Sequence, residues 1–348
     1  MKKVLYVDHL MSGHHKSYAC AFLENENTEQ IYVFSDIINE IPLEKQIRCE
    51  FRPDGLIGYL KWIDQIYRIA CAKQVDCIHF LYGDVLYRFF GFGLNKLRRF
   101  RVVVTFHQIR WGFIKDWSRL LICRKVAKCV VHTEHLSTEL GKRRIRNVVT
   151  IDYPKLSIQT EMSREEARDY FDLPEDRVVF AAIGATAQYK GLDILLKAFQ
   201  NVEGNFHLLI AGKETDIPLK VIDDLSMSYC DRVTKALRFL DENEFAYAIK
   251  AADCIVLPYR KGFDGASGPM VEGIWYRKYI IGAEHGSMGD LIKKYVLGET
   301  FQTENEEDLA KAINRAIVSE RRWSDIAEQY RQNLQIEAFL QQHNDCVY

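Results

Sequence analysis

Several things are scarce in this chain, and each scarcity closes off a class. Proline is rare, at 7 of 348 residues, and no segment is low in complexity or repeats at short period, so collagen-like and disordered classes are excluded. No run approaches the roughly 18 to 20 consecutive apolar residues that span a bilayer. Met1-Lys2-Lys3 leads directly into a strand-like segment instead of a signal peptide's apolar core, so a cytoplasmic location is expected. The nine cysteines contain no C-x-x-C pair, and the nearest neighbours, Cys71 with Cys77 and Cys123 with Cys129, are separated by five residues. Neither a zinc site nor a disulfide framework is indicated, and most cysteines read as reduced core residues. The G-x-G-x-x-G of a dehydrogenase-type dinucleotide fold is missing too.

What is present is a globular composition, 48% hydrophobic and 27% charged, at a length that favours two domains. The net charge of −1 conceals an asymmetry. Up to residue 157 there are 25 basic against 16 acidic residues (+9), and after it 22 against 32 (−10). Residues 96–146 alone carry 14 basic and 3 acidic side chains. Such a distribution suggests that the first half meets an anionic surface or ligand.

Short runs rich in Val, Ile and Tyr alternate with helix-length amphipathic segments. The first half predicts strands at Lys3–Asp8, Gln30–Phe34, Cys77–Leu81, Val102–Phe106, Cys129–His132 and Val148–Ile151, with a helix over Leu56–Lys73. The second half predicts strands at Val178–Ile183, His207–Ala211, Arg232–Lys235, Cys254–Leu257 and Tyr279–Ile281. Nearly continuous apolar strands between helices imply parallel sheets covered on both faces, so two Rossmann-like domains are expected. Pro154 marks their boundary near Tyr153–Ser157, and Ser163 with Glu166 forms a capping box that starts the next helix. The expected division is residues 1–157, residues 158–320, and a helical tail of residues 321–348 packing back toward the first domain.

Open α/β sheets bind ligands beyond the carboxyl ends of their strands, which directs attention to four loops. After the first strand come Gly13, His14 and His15, where backbone N–H groups can face an anion; solvent-facing histidines in a tight turn are an equal alternative. His107 stands immediately after Val104-Thr105-Phe106, placed to reach into a cleft unless it serves a structural role. Gly184 to Gly191 follows the first strand of the second half, and Lys190 there could meet a phosphate as a point charge, although a surface lysine is the commoner case. The densest segment runs from Ala252-Asp253 through Pro258 to Gly273. The N–H groups of Ser267 and Gly268 form a diphosphate cradle at a helix start, flanked by Asp264 and Glu272, eight residues apart and suited to accepting from sugar or ribose hydroxyls. Taken singly, the two carboxylates read as a loop turn and a helix N-terminal charge.

Together these segments resemble the GT-B glycosyltransferases of family 4, a retaining class that uses nucleotide-sugar donors. Ala252-Asp253 through Pro258 matches that family's A-D-x-x-x-x-P strand, Asp264-x7-Glu272 its E-x7-E pair with Asp in first place, Lys190-Gly191 the end of its phosphate loop, and Val104-Thr105-Phe106-His107 its strand ending in a histidine. The likeness is closest over residues 178–315. It implies two Rossmann-like domains facing each other across a cleft, with Glu272 on the ribose hydroxyls, Asp264 and Gly184 at the donor, and Ser267 and Gly268 on the diphosphate. Lys190 would offset leaving-group charge, and His107 would touch donor sugar or acceptor. The family's phosphate-binding arginine falls on Ala185, and only Gly13 remains of its glycine pair.

The resemblance further implies a metal-independent hexosyl transfer with no cofactor beyond the nucleotide-sugar co-substrate. Electrostatic stabilisation by N–H groups and a lysine suffices for such a step. The acceptor implied is a saccharide or lipid-linked saccharide in surface polysaccharide assembly, bound by the basic half. His14, Arg98, Arg99, Arg143 and Arg144 are the candidates for acceptor or anionic-membrane contact, at roughly 1 kcal/mol per residue for the cations, and solvated helix faces are the alternative. No nucleic-acid motif accompanies the charge. An epimerase of the same fold and a silent carbohydrate-binding protein are the competing functions.

Overall fold

The computed structural model describes residues 1–11, 13–157 and 159–348. They form two compact units, one of residues 1–156 with 335–348, the other of residues 157–334. In the first, seven strands alternate with helices: β1 (Lys2–Val7), α1 (His14–Cys20), β2 (Thr28–Phe34), β3 (Gln46–Arg48), α2 (Leu56–Lys73), β4 (Cys77–Phe80), α3 (Asp84–Tyr87), β5 (Arg101–Phe106), α4 (Phe113–Cys123), β6 (Lys128–Val131), α5 (Glu134–Lys142) and β7 (Val148–Thr150). The sheet is parallel in the order β3-β2-β1-β4-β5-β6-β7. Its central strands are buried on both faces because their side chains are apolar on both: Val4 to Val7 and Val102 to Phe106 sit in layers made with α2 on one side and α1 on the other.

The second unit repeats the plan with α6 (Arg164–Tyr170), β8 (Val178–Ile183), α7 (Leu192–Phe199), β9 (Phe206–Ala211), α8 (Leu219–Ser226), β10 (Val233–Ala236), α9 (Glu242–Ala251), β11 (Cys254–Leu257), α10 (Gly268–Trp275), β12 (Tyr279–Ala283), α11 (Gly286–Tyr295), β13 (Gly298–Phe301), α12 (Glu306–Val318) and α13 (Asp325–Asn333). Its parallel sheet runs β10-β9-β8-β11-β12-β13. The Ser163–Glu166 capping box starts α6 as its sequence predicts. Two strands were not anticipated, β3 and β13, both three or four residues long with polar positions that blur an apolar run.

The predicted helical tail is divided between the units. Helix α13 belongs to the second, whereas α14 (Ile336–Cys346) belongs to the first, where Phe339, Leu340, Val347 and Tyr348 join its core. His79 Nδ1 lies 2.6 Å from the Tyr348 hydroxyl and Arg101 donates to Val347 O at 2.7 Å, so the chain end is tied to β4 and β5. All nine cysteines are free thiols, Cys123 and Cys129 touching at 3.0 Å in the core. No helix of the described residues is long and apolar enough to cross a membrane.

Candidate functional site

In each sheet the strand order reverses once, between β1 and β4 and between β8 and β11, and the loops leaving those strands open the crevice where such sheets bind ligands. Most of the sequence-derived candidates fall on these loops.

In the second unit, the loop after β8 carries Gly184 and ends in Lys190 and Gly191. Gly191 has φ +68°, and a Cβ there would come within 2.0 Å of Pro258 O, so only glycine lets this loop rest against the end of β11. Gly184 has φ +109°, and the Lys190 ammonium occupies the space its side chain would fill, 2.3 Å from a Cβ built there. The ammonium also lies 5.8 Å from the Tyr259 ring centre, and burial draws the Lys190 pKa below its ordinary value. Tyr259 in turn meets Ser267 Oγ at 3.2 Å. The two loops are therefore connected side chain to side chain.

Ser267 caps α10, its Oγ accepting from Met270 N at 3.4 Å. Pro269 has no N–H, so the Gly268 N–H is the donor of this first turn left for a ligand. Glu272, one turn in, is buried and accepts from Ser157 N at 3.0 Å and from the Ser157 hydroxyl. Asp264 is buried as well. Its Oδ1 accepts from Ser287 Oγ at 2.6 Å and Ser287 N at 3.2 Å, which binds the 260–268 loop to the first turn of α11, while His285 Nε2 reaches Phe263 O at 3.2 Å. Ser157, Ser287 and His285 were invisible to sequence reasoning because they act across 22 to 115 residues of chain.

Asp253 has a structural task. Its carboxylate accepts from the fully buried Arg168 at 2.7 Å, from Val179 N at 2.8 Å and from Arg164 at 3.1 Å, joining α6 to the start of β8 and β11.

In the first unit His107 stands at the end of β5 as predicted, but both ring nitrogens are engaged internally: Nε2 donates to Leu81 O at 2.9 Å and Nδ1 faces His132 Nε2 at 3.2 Å. His132 Nδ1 donates to Ile151 O at 2.9 Å. A neutral imidazole has one N–H and both are spent on carbonyls, so the 3.2 Å N···N contact carries no proton; it sets the two remaining lone pairs against each other, not toward a ligand. Burial keeps the pair neutral, His107 well below the ordinary histidine value and His132 down to about 4.

The histidines after β1 are arranged differently. Asp8, fully buried, accepts from His9 N at 2.6 Å and Leu10 N at 3.2 Å with Oδ1, which shapes the turn, and from His15 with Oδ2 at 2.9 Å. Burial alone would raise its carboxyl, but the bonds from His15, His9 and Leu10 outweigh that and hold it below the usual value. The His15 ring stacks on Tyr82, 3.5 Å between centres, and Tyr82 stacks on His107 at 3.9 Å. Gly13 opens α1 at φ +54°, and His14 is exposed beside His15.

Among the cations proposed from sequence, Arg98 and Arg99 precede β5 and Arg143 and Arg144 precede β7, which puts them at the amino edge of a parallel sheet, opposite His107. Arg98, Arg99 and Arg144 are exposed. Arg143 is spent on Glu139 at 2.7 Å, on Asp116 at 3.4 Å, and on the Trp111 ring 4.0 Å away, whose other neighbour is the buried Arg119 at 4.9 Å. Among the described residues no group of three or more His, Cys, Asp or Glu side chains is placed to hold a metal ion.

Comparison with known proteins gives consistent results. Residues 163–335 match the family described as glycosyl transferases group 1. A segment of 116 residues is 33% identical to D-inositol 3-phosphate glycosyltransferase of Mycolicibacterium smegmatis, covering 31% of this chain and 26% of that relative. The whole fold is similar to that of a glycosyltransferase from Rickettsia africae (TM-score 0.76, 16% identity, 99% of this chain and 97% of that one). It is equally similar to Alr3699/HepE of Anabaena in complex with UDP and glucose (TM-score 0.75, 16% identity, 99% of each chain). On this fold, and through its second unit, the chain belongs to the glycosyl transferases group 1 family.

Proposed function

We propose that the protein transfers a hexosyl group from a nucleotide-diphosphate sugar to a saccharide or lipid-linked saccharide, with retention of anomeric configuration, in surface polysaccharide assembly on the cytoplasmic side of a membrane. The observation that carries this reading is the placement of Lys190 on the loop after β8, and of Asp264, the Gly268 N–H and Glu272 on the loop after β11 and the start of α10, where the second sheet reverses its order. Negative charge gathers on the diphosphate as the glycosidic bond to it breaks. On this reading a preorganised N–H and the half-buried Lys190 ammonium lower that barrier without a metal or cofactor. Glu272 would accept from the ribose hydroxyls, and Asp264, held by Ser287, from the donor sugar. The UDP and glucose bound to Alr3699/HepE, a protein of this fold, favour a nucleoside-diphosphate hexose as donor.

Contact with an anionic membrane is supported by two features of the first unit. One is the exposed Arg98, Arg99 and Arg144; the other is the start of α4, where Phe113, Ile114 and Trp117 are 83%, 69% and 58% exposed beside the exposed Arg110 and Lys115. An exposed apolar group rimmed by cations suits lipid headgroups.

The test is thermal. UDP, GDP or ADP is expected to raise the melting temperature of the second unit, by the equivalent of about 2.7 kcal/mol at a hundred-fold excess over Kd. Glu272→Ala should remove the shift. A donor-hydrolysis screen across UDP-, GDP- and ADP-sugars then identifies the base. No shift with any nucleotide would leave the silent carbohydrate-binding alternative standing.

A further inference from the structure

Lys190 is the one cationic side chain between Gly184 and Gly191, so the charge this loop offers a ligand depends on where a single ammonium is held. A lysine does not hold itself, because its charge ends a flexible four-carbon stem. The backbone around it is not restrained locally either. Gln188–Lys190 form one 3-10 turn, Gly191 then opens α7 at φ +68°, and among the described residues no side chain caps the start of either element.

Arg260, from the loop after β11, supplies the restraint at three points. Its backbone N–H donates to Tyr189 O at 2.9 Å, its Nε to Gln188 O at 3.0 Å and its Nη2 to Asp193 Oδ2 at 2.6 Å. One guanidinium thus joins a residue just before Lys190 to a residue just after it, across the junction of the 3-10 turn and α7. A planar fork fixes both directions at once, which the point charge of an ammonium cannot do. The turn is backed elsewhere by Asp216, whose Oδ2 accepts from Gln188 N at 2.9 Å, and by the Phe263 ring, parallel to that of Tyr189 at 5.8 Å. The Arg260 and Asp193 side chains are 27% and 23% exposed, and a pair so open to water contributes little to folding as such. Its placement suits holding a loop.

We propose that Arg260 is a positioning residue for the transfer step: bonded to Gln188 O and to the Asp193 carboxylate, it fixes the turn that presents the Lys190 ammonium to the donor diphosphate. This rests on the glycosyl-transfer reading and on the part Lys190 has in it. Arg260 itself touches no reacting atom and moves no proton. When its side chain is shortened, Lys190 keeps its charge but the ammonium spreads over more positions. Stabilisation of the charge that develops on the diphosphate then falls further than binding of the intact donor, in which that charge has not yet formed.

The experiment follows nucleotide release from UDP-glucose, GDP-mannose and ADP-glucose, with melting curves alongside, for wild type, Arg260→Gln, Arg260→Lys, Asp193→Ala, Lys190→Ala and the double variant Arg260→Gln/Lys190→Ala. Arg260→Gln is expected to lower kcat by about ten-fold or more while the donor KM stays within about three-fold. Arg260→Lys, able to reach one partner at a time, should recover part of the loss. The second unit's melting point should move by less than about 3 °C. In the Lys190→Ala background Arg260→Gln should change kcat by no more than about two-fold, because the group it positions is gone; a residue that only supports the fold would cost both backgrounds alike. If Arg260→Gln does not fold, Asp193→Ala takes its place in the same cycle. A kcat within about three-fold of wild type, or an equal further loss in the Lys190→Ala background, overturns the proposal and leaves glycosyl transfer intact. Near-normal turnover by Lys190→Ala overturns it as well. Absence of both melting shift and turnover in the wild type instead removes the glycosyl-transfer reading itself, and this inference with it.

Discussion

Replacing Asp253 by Ala should destabilise the second unit by about 3–5 kcal/mol, the cost of stripping the partner from a buried charge. Arg168 is fully buried. Its other N–H groups already donate to the carbonyls of Ala251 (3.1 Å), Pro174 (2.8 Å), Glu175 (3.0 Å) and Arg177 (3.2 Å), and Asp253 supplies the only carboxylate hydrogen-bonded to it among the described residues. Truncation also orphans the N–H of Val179 at the start of β8, a further loss of the kind that runs to about 1–3 kcal/mol. For a unit of this size each kcal/mol shifts the midpoint by roughly 2–4 °C, so calorimetry should show the second unit's transition falling by about 6–20 °C. Arg164→Ala, which removes a 38%-exposed partner of the same carboxylate, is the control and should cost under about 1 kcal/mol. Arg168→Met should be comparably damaging, but the double variant should recover about 1–2 kcal/mol relative to the sum, because no uncompensated charge remains, although four carbonyls do lose their donor. A drop of less than about 4 °C in Asp253→Ala would refute the reasoning.

Four further expectations concern other parts of the molecule. Burial pulls His79 and His107 well below the ordinary histidine value, His132 to about 4 and His343 to about 3, all in the first unit, so on acidification the unfolded chain takes protons the folded one refuses. The stability of that unit should therefore fall as pH drops from about 6.5 to 4, with His132 alone contributing on the order of 3 kcal/mol; equal first-unit melting points at pH 7.5 and 5 would contradict this. Gly191→Ala, forced against Pro258 O at φ +68°, should cost about 1–3 kcal/mol, read as a lower unfolding midpoint in scanning calorimetry, and weaken nucleotide binding by moving Lys190, read by titration calorimetry; a variant unchanged in both would contradict this. Joint replacement of Arg98, Arg99 and Arg144 by Gln should reduce co-sedimentation with phosphatidylglycerol vesicles at low salt without altering the nucleotide-induced melting shift. Replacing Phe113, Ile114 and Trp117 by Ser should reduce sedimentation at high salt as well, since that part of the contact is apolar; unchanged binding in both variants would remove the membrane reading.

Legibility from sequence followed the physics of each element. Strands such as Val178–Ile183 and Cys254–Leu257, buried on both faces, and the long amphipathic helix Leu56–Lys73 were readable to the residue because their apolar patterns are unbroken. Strands β3 and β13 were not, since their short polar sequences are held by the sheet beside them instead of by their own composition. At the candidate sites, loop position and residue type singled out Lys190, Asp264, Ser267 and Glu272 as candidates. They could not reveal that Asp264 is tied to Ser287 and Glu272 to Ser157, contacts between segments far apart in the chain. The same limit applies to the histidines: strand-end position singled out His107, yet only tertiary hydrogen bonds distinguish a ring with both nitrogens committed from one, His15, with a nitrogen to spare.

The bonds from Ser157 to Glu272 bear on how any ribose would be held there. This carboxylate already accepts from an internal hydroxyl and an N–H, so a ribose held at Glu272 as proposed would have to exchange its hydroxyls for these donors. The net gain would then be a difference between bonds of similar kind, smaller than the roughly 1.5–3 kcal/mol a charged hydrogen bond contributes when it replaces nothing but water. Ser157 would then act as a tethered competitor at a fixed local concentration, and it is the first residue of the second unit, where the chain leaves the first. Occupancy of the nucleotide site would thus be reported directly to the segment that links the two sheets.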